Sequence, residues 1–135
     1  MTKDLEKKLM EKFPTIFEEM YGNPKETCMA WGIECDDGWY NIIETLCYLI
    51  DSEVKEGCPE VVALQIKEKF GGLRFYYRGG NDITDAYIDF AEGMSLRTCE
   101  VCGNVGTPTK GGWIKTLCDE HNSKRINTIE PQQKE

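Results

Sequence analysis

Apolar residues recur at helical spacing in "TKDLEKKLMEKF", at Leu5, Leu9 or Met10, and Phe13, which would place them on one face of a helix. Thr2 or Asp4 stands where a side chain can cap the first free amides, and Pro14 ends or kinks the helix. "PTIFEEMYG" predicts a further turn or two of helix closed by Gly22. "NPKETCMAWGIECDDG" carries enough apolar residues to predict a connection packed down on the body. From Asp36 or Asp37 onward, "DDGWYNIIETLCYLIDSEVKEG" shows a clear helical stripe of Ile42, Ile43, Leu46, Cys47, Ile50 and Val54. Gly57 and Pro59 end it.

Beyond Pro59 the period drops to two. Val62, Leu64, Ile66 and Phe70 alternate up to Gly71-Gly72, and Leu73, Phe75 and Tyr77 alternate after it. A Gly-Gly link suits a tight hairpin turn with positive φ. With Phe70 facing Leu73 across that turn, the apolar side collects Val62, Leu64, Ile66, Phe70, Leu73, Phe75 and Tyr77. The other side presents Gln65, Lys67, Lys69, Arg74, Tyr76 and Arg78, with Lys69 opposite Arg74. A one-residue slip would bury four cations, so the Leu73, Phe75 and Tyr77 side is expected to pack on the helices. "DITDAYIDFAEGMSL" then predicts a third helix with Ile83, Tyr87, Ile88, Phe90 and Ala91 as its apolar side. The expected fold is α+β, with helices packed on a β-hairpin over residues 1–96 and a C-terminal treble-clef-like zinc finger over 97–126. Residues 127–135 form a polar tail expected to fray.

Charge divides the chain the same way. Residues 1–96 carry ten Lys/Arg against nineteen Asp/Glu, whereas 97–125 carry five against three. A body this acidic argues against bulk nucleic-acid binding, because phosphates are repelled over most of its surface. It leaves room for a local basic site, or for an acidic surface offered to a basic partner. No apolar run approaches the roughly 20 residues of a membrane span, and the charged N-terminus lacks the apolar core of a secretory signal. Seven cysteines is an odd number, unsuited to a disulfide framework. These features predict a cytoplasmic protein with reduced thiols.

The cysteines carry the sharpest chemical signal. Cys99-x2-Cys102 and Cys118-x2-His121 are separated by fifteen residues. A CxxC knuckle turns both sulfurs inward, and Gly103 follows where the chain must bend around an ion. "GGWIKTLC" reads as the second strand of a small hairpin, and "CDEHNSKRI" as a helix start whose first turn carries the last two ligands. Three thiolates and one imidazole match the closed tetrahedral set of one structural zinc, with no position left for water or substrate. The segment's large apolar residues are Val101, Val105, Trp113, Ile114 and Leu117, with Ile126 just beyond. They are too few to order it without metal. His121 is the chain's one histidine. As a ligand it leaves no imidazole to serve as general base, which argues against a His-dependent nuclease.

Other residues have less specific readings. Cys28, Cys35, Cys47 and Cys58 show no tight pairing, and Cys47 falls on the buried helical stripe. Glu34, Asp36 and Asp37 could bind a hard cation, but acidic residues before a helix commonly cap its amides and meet its dipole. Lys67, Lys69, Arg74, Tyr76 and Arg78 form a candidate anion-binding face, against the default of a solvated outer surface. Like charges across strands lower stability, so something acidic should lie near.

Taken together, "ETCMAWGIECDDGWY", "IKEKFGGLRFYYRGG" and "TCEVCG…GWIKTLCDEH" resemble a group of small, largely uncharacterised proteins of phages and prophages, over roughly residues 10–121. The resemblance implies a phage-borne accessory protein of the host-cell cytoplasm with a C-terminal zinc finger, and it assigns no catalytic residue. The expected function is binding rather than catalysis, by contacting or inhibiting a host protein such as a defence or nucleic-acid enzyme. The alternative is a nucleic-acid-binding module that uses the basic hairpin face and the finger. An enzyme with a carboxylate-bound cation at Glu34, Asp36 and Asp37 is a third reading.

Overall fold

The computed structural model describes residues 1–133. Helix α1 spans Lys3–Lys12 and ends at Phe13, whose N–H closes on the Leu9 carbonyl at 2.8 Å. The expected helix over 14–21 is instead a run of tight turns that bury Ile16, Phe17 and Met20. The run ends with Tyr21 at φ 61, outside the helical region. Residues 22–36 are packed down as expected: Met29, Ile33 and Cys35 are buried, and Cys28–Trp31 form a short 3-10 turn. Glu6, on α1, is buried too. It accepts the Tyr21 hydroxyl and the Ile33 N–H, both at 2.6 Å, and so ties α1 to this connection.

A 3-10 turn over Asp37–Trp39 leads into α2, Tyr40–Lys55, which buries Ile43, Leu46, Cys47 and Ile50. Strands β1, Val61–Lys69, and β2, Gly72–Gly79, form the antiparallel hairpin. Its turn is Phe70-Gly71, one residue earlier than expected, with φ of 54° and 83°. Two positive φ values are the signature of the turn whose twist matches a hairpin. The turn places Lys69 opposite Gly72 and Lys67 opposite Arg74, and leaves Phe70 outside, 68% exposed. A bulge at Leu64 shifts the register between Ala63 and Gln65. Val61 and Ala63 therefore share a side with Ile66, Leu73 and Phe75, while Val62, expected there, lies on the side of the cations.

Both outer edges of the hairpin are satisfied. On β1, Ala63 N–H donates to the Ile16 carbonyl, Glu34 N–H to Ile66, and Glu68 N–H to Glu34. On β2, Leu73 N–H donates to Ser95 Oγ and Phe75 N–H to Glu92 Oε2, both from α3. Helix α3, Asp82–Ser95, starts with a capping box in which Asn81 and Thr84 satisfy each other's amides. It buries Thr84, Ile88, Ala91 and Ser95. Ile83 and Phe90, expected inside, are 45% and 71% exposed. Small inward residues let α3 approach β2 closely enough for its polar side chains to reach the strand edge.

The C-terminal segment has a short β3, Thr107–Pro108, paired antiparallel with β4, Thr116–Leu117, and then α4, Asp119–Gln133. Helix α4 covers residues 127–133, where a fraying tail was expected; 134–135 lie outside the described residues. Among the described residues, no helix is long and apolar enough to cross a membrane.

Candidate metal centre

The knuckle is built by backbone hydrogen bonds. Gly103 N–H donates to the Cys99 carbonyl at 2.9 Å, and Cys99 N–H to Asn104 at 2.7 Å. This tight loop turns Cys99 and Cys102 toward the start of α4, where Cys118 just precedes the helix and His121 lies in its first turn. The four donor atoms all lie within 4.8 Å of one another. Cys102 Sγ and Cys118 Sγ are 3.8 Å apart, and Cys99 Sγ stands 3.6 Å from His121 Nδ1. Bonds of ~2.3 Å from one tetrahedral ion would place two sulfurs ~3.8 Å apart, so the spacing fits a shared ion. The four residues selected by spacing lie together, and they could bind a metal ion. Burial would raise the Cys99 thiol, but backbone hydrogen bonds from Cys118, Cys102 and Val101 outweigh it and lower the pKa to about 7. A thiol so placed gives up its proton readily, as a metal ligand must.

No family model, curated protein or solved structure matches the chain.

Around the cluster, polar groups are buried where large apolar ones are not. Val101, Val105 and Trp113 are 41%, 85% and 72% exposed, and Leu117 is the one large apolar side chain of the segment that is buried. The buried group beside the knuckle is Glu100, at 2% exposure. Its Oε2 accepts the Asp36 N–H at 3.0 Å, and its Oε1 pairs with Lys115 Nζ at 3.3 Å. Lys115 also pairs with Glu68 Oε1 at 3.3 Å, and Glu68 Oε2 accepts the Gly71 N–H at 2.8 Å. One hydrogen-bonded chain thus runs from the hairpin tip through Lys115, just before β4, to the knuckle and the start of the α2 region. Burial raises the Glu100 carboxyl, opposed by the Asp36 N–H and the Lys115 charge. Burial also pulls on the Lys115 ammonium, but its two carboxylates outweigh that and raise it. Inside a CxxC knuckle Glu100 reads from sequence as a solvated residue, and nothing in the local spacing marks it.

The backbones themselves meet at Gly38. Its N–H donates to the Glu100 carbonyl at 2.7 Å, and a Cβ there would stand 2.3 Å from the Cys99 carbonyl oxygen. Trp39, fully buried, donates its indole N–H to the Thr98 carbonyl at 2.9 Å. Body and knuckle are therefore in contact through glycine, indole and a carboxylate.

The acidic trio takes other roles. Asp37 Oδ1 accepts the Thr2 N–H at 2.8 Å, and Asp36 and Glu34 serve through their backbones. On the cationic face, Arg78 is paired with Glu18 and Glu19 at 3.2 and 3.3 Å. Lys67 and Arg74 face each other across the strands, Tyr76 is 46% exposed, and the Lys69 ammonium lies 5.6 Å from the Phe70 ring centroid. Among the described residues no carboxylate pairs with Lys67, Lys69 or Arg74. Cys35 and Cys47 are buried, Cys58 is half-buried beside Thr84, and Cys28 is exposed.

Proposed function

We propose that Cys99, Cys102, Cys118 and His121 hold one structural zinc, and that knuckle, β3–β4 hairpin and α4 start form a treble-clef-like finger. The donor set supports this reading: with three thiolates and one imidazole, all four tetrahedral positions belong to the protein. When bound, the ion supplies folding free energy, and the chain's own residues orient the finger against the body.

On this reading the protein is a small phage-type accessory factor that acts by binding another protein rather than by catalysis. The observation that carries it is the outward stripe of α3. Ile83, Phe90 and Met94 are 45%, 71% and 40% exposed, and Tyr87 between them is half-buried with its hydroxyl on Glu53. Helical geometry places Asp82 and Asp89 along one flank of this stripe. An apolar stripe bordered by carboxylates, on a chain of net charge -8, complements a basic surface with an apolar centre. A nucleic-acid channel on a host enzyme has that character. The test is affinity capture from phage-infected cells with the parent and Phe90→Ala. One stoichiometric partner held by the parent and lost by the variant supports the reading. Equal recovery with both, or none over a range of salt, contradicts it.

A further inference from the structure

One end of the molecule gathers two exposed aromatic rings and several cations from distant parts of the chain. They meet where Thr116 Oγ1 donates to the Gly71 carbonyl at 2.6 Å. A Cβ on Gly71 would stand only 3.1 Å from Ile114 Cγ2, so the hairpin tip and the finger loop are in contact. Phe70 and Trp113 are each one residue from this contact, and they are 68% and 72% exposed. Neither ring belongs to the core. Both nevertheless stand on fixed backbone. Phe70 occupies the two-residue turn at φ 54. The Trp113 carbonyl accepts from the Arg125 guanidinium, whose other arm donates to Thr109 Oγ1 at 2.9 Å.

Cations surround the rings. Lys69 lies 5.6 Å from the Phe70 centroid, and an Arg74 guanidinium nitrogen is 3.2 Å from where a Gly72 Cβ would be. Trp113 lines two clefts. One, of about 690 Å³, has Lys110, Asn122 and Arg125 among its walls; the other, of about 340 Å³, has Asp36, Glu100, Val101, Leu117 and Arg125 among its walls. Of the nearby carboxylates, Glu68 and Glu100 are paired with Lys115, which leaves Asp119 on the larger cleft and Asp36 on the smaller.

We propose that this end of the molecule binds single-stranded nucleic acid. Unpaired bases would stack on Trp113 and Phe70, and phosphates would meet Lys69, Arg74, Lys110 and Arg125. Exposed rings interleaved with cations are how sequence-tolerant single-strand sites are built, because every base offers a π-face and every nucleotide a charge. A duplex keeps its bases stacked inside and offers the rings nothing. The chain as a whole carries a net charge of -8, which disfavours a strand spread over the remaining surface. The surface is separate from the α3 stripe, so the two readings stand or fall separately.

The test is fluorescence anisotropy of the zinc-loaded full chain with labelled oligo-dT and oligo-rU of about twelve nucleotides. At ~50 mM salt we expect saturable binding to one or both, weakening with salt at a log–log slope of about -2 to -3 as three or four phosphates are met. A preference for rU would indicate that the 2′-hydroxyl is read. Trp113→Ala and Phe70→Asn should each lower affinity roughly 5- to 100-fold. Trp113→Phe should keep most of it, and Phe90→Ala should bind as the parent does. Phe70→Asn retains the turn, because Asn-Gly is the pair that this turn type favours most. Zinc content and circular dichroism confirm that each variant is folded. No binding to either oligomer at ~50 mM salt overturns the proposal. So does equal affinity for a duplex of the same length, or affinity unchanged in both ring variants.

Discussion

The body buries Trp39, Phe17, Leu9, Met29 and Ile43 in one apolar cluster, while the finger leaves Val101, Val105 and Trp113 in water and buries Glu100 and Thr116 instead. The body follows the ordinary rule, in which apolar area withdrawn from water offsets the entropy of ordering the chain. The finger cannot. On the proposed reading, its order comes from four ligands drawn to one ion and from hydrogen bonds to the body, which reach it through Gly38, Trp39 and the Glu68–Lys115–Glu100 chain. A segment with almost no apolar core can still hold one arrangement when its buried polar side chains are all paired.

The largest break in the comparison should come from Cys102→Ser. Removing one thiolate takes away much of a metal-binding free energy on the order of 10 kcal/mol. Elemental analysis should fall from one zinc per chain to well under one, and the circular-dichroism signal of α1, α2 and α3 should largely persist. Trp113 is already in water, so its fluorescence is not the readout. The next effect is Lys115→Met, which leaves the Glu100 carboxylate buried without its cation. Because Lys115 keeps a quarter of its side-chain surface in water, we expect a loss of about 2–4 kcal/mol in urea unfolding. Adding Glu100→Gln to that variant should recover part of it.

A pH titration sharpens the other side. Burial pushes the Cys35 thiol up to about 12 and raises Cys47 as well. An unfolded thiol ionises near ~8.5, whereas these two stay neutral in the folded chain. Their contribution is therefore complete below that pH and is lost as pH rises toward the folded values. The slope is about 1.4 kcal/mol per pH unit for each thiol. Urea midpoints at increasing pH above neutrality should fall accordingly, and Cys47→Ala should flatten the slope by one thiol. The smallest effect is Val105→Ser, at 85% exposure, which should change stability by less than ~0.5 kcal/mol.

Where one physical signal dominated, the sequence could be read. The α2 stripe and the CxxC…CxxH spacing each depend on a single periodicity, and both stand in the fold. The hairpin turn did not, because two glycines look like the natural turn pair while the register is decided elsewhere. Ile66 and Phe75 face each other, and Glu68 and Thr116 hold Gly71 by its N–H and carbonyl. This fixes Phe70 in the turn at positive φ. The bulge at Leu64 leaves no local mark. On α3, Ile88 and Ala91 lie inward as expected but Ile83 and Phe90 do not; the small polar residues Thr84 and Ser95 complete the inward face, and Ser95 reaches the edge of β2. At the centre the four donors were legible, and the buried Glu100–Lys115 pair was not, since its partners come from the hairpin and the start of the α2 region.

On the proposed reading, a metal at the four donors orders residues 97–126 and the apolar core orders the body. Peptide-resolved hydrogen exchange on the zinc-loaded chain, before and after a strong chelator, tests it most directly. The account predicts that chelation strips protection from Cys99, Glu100, Gly103, Gly106 and Thr109, together with Gly38, whose amide donates to the knuckle. Amides of α2 from Ile43 to Ile50 and of the β1–β2 ladder should keep theirs. A chelated protein whose 97–126 amides exchange as slowly as before would contradict the claim. So would one in which body and finger lose protection together.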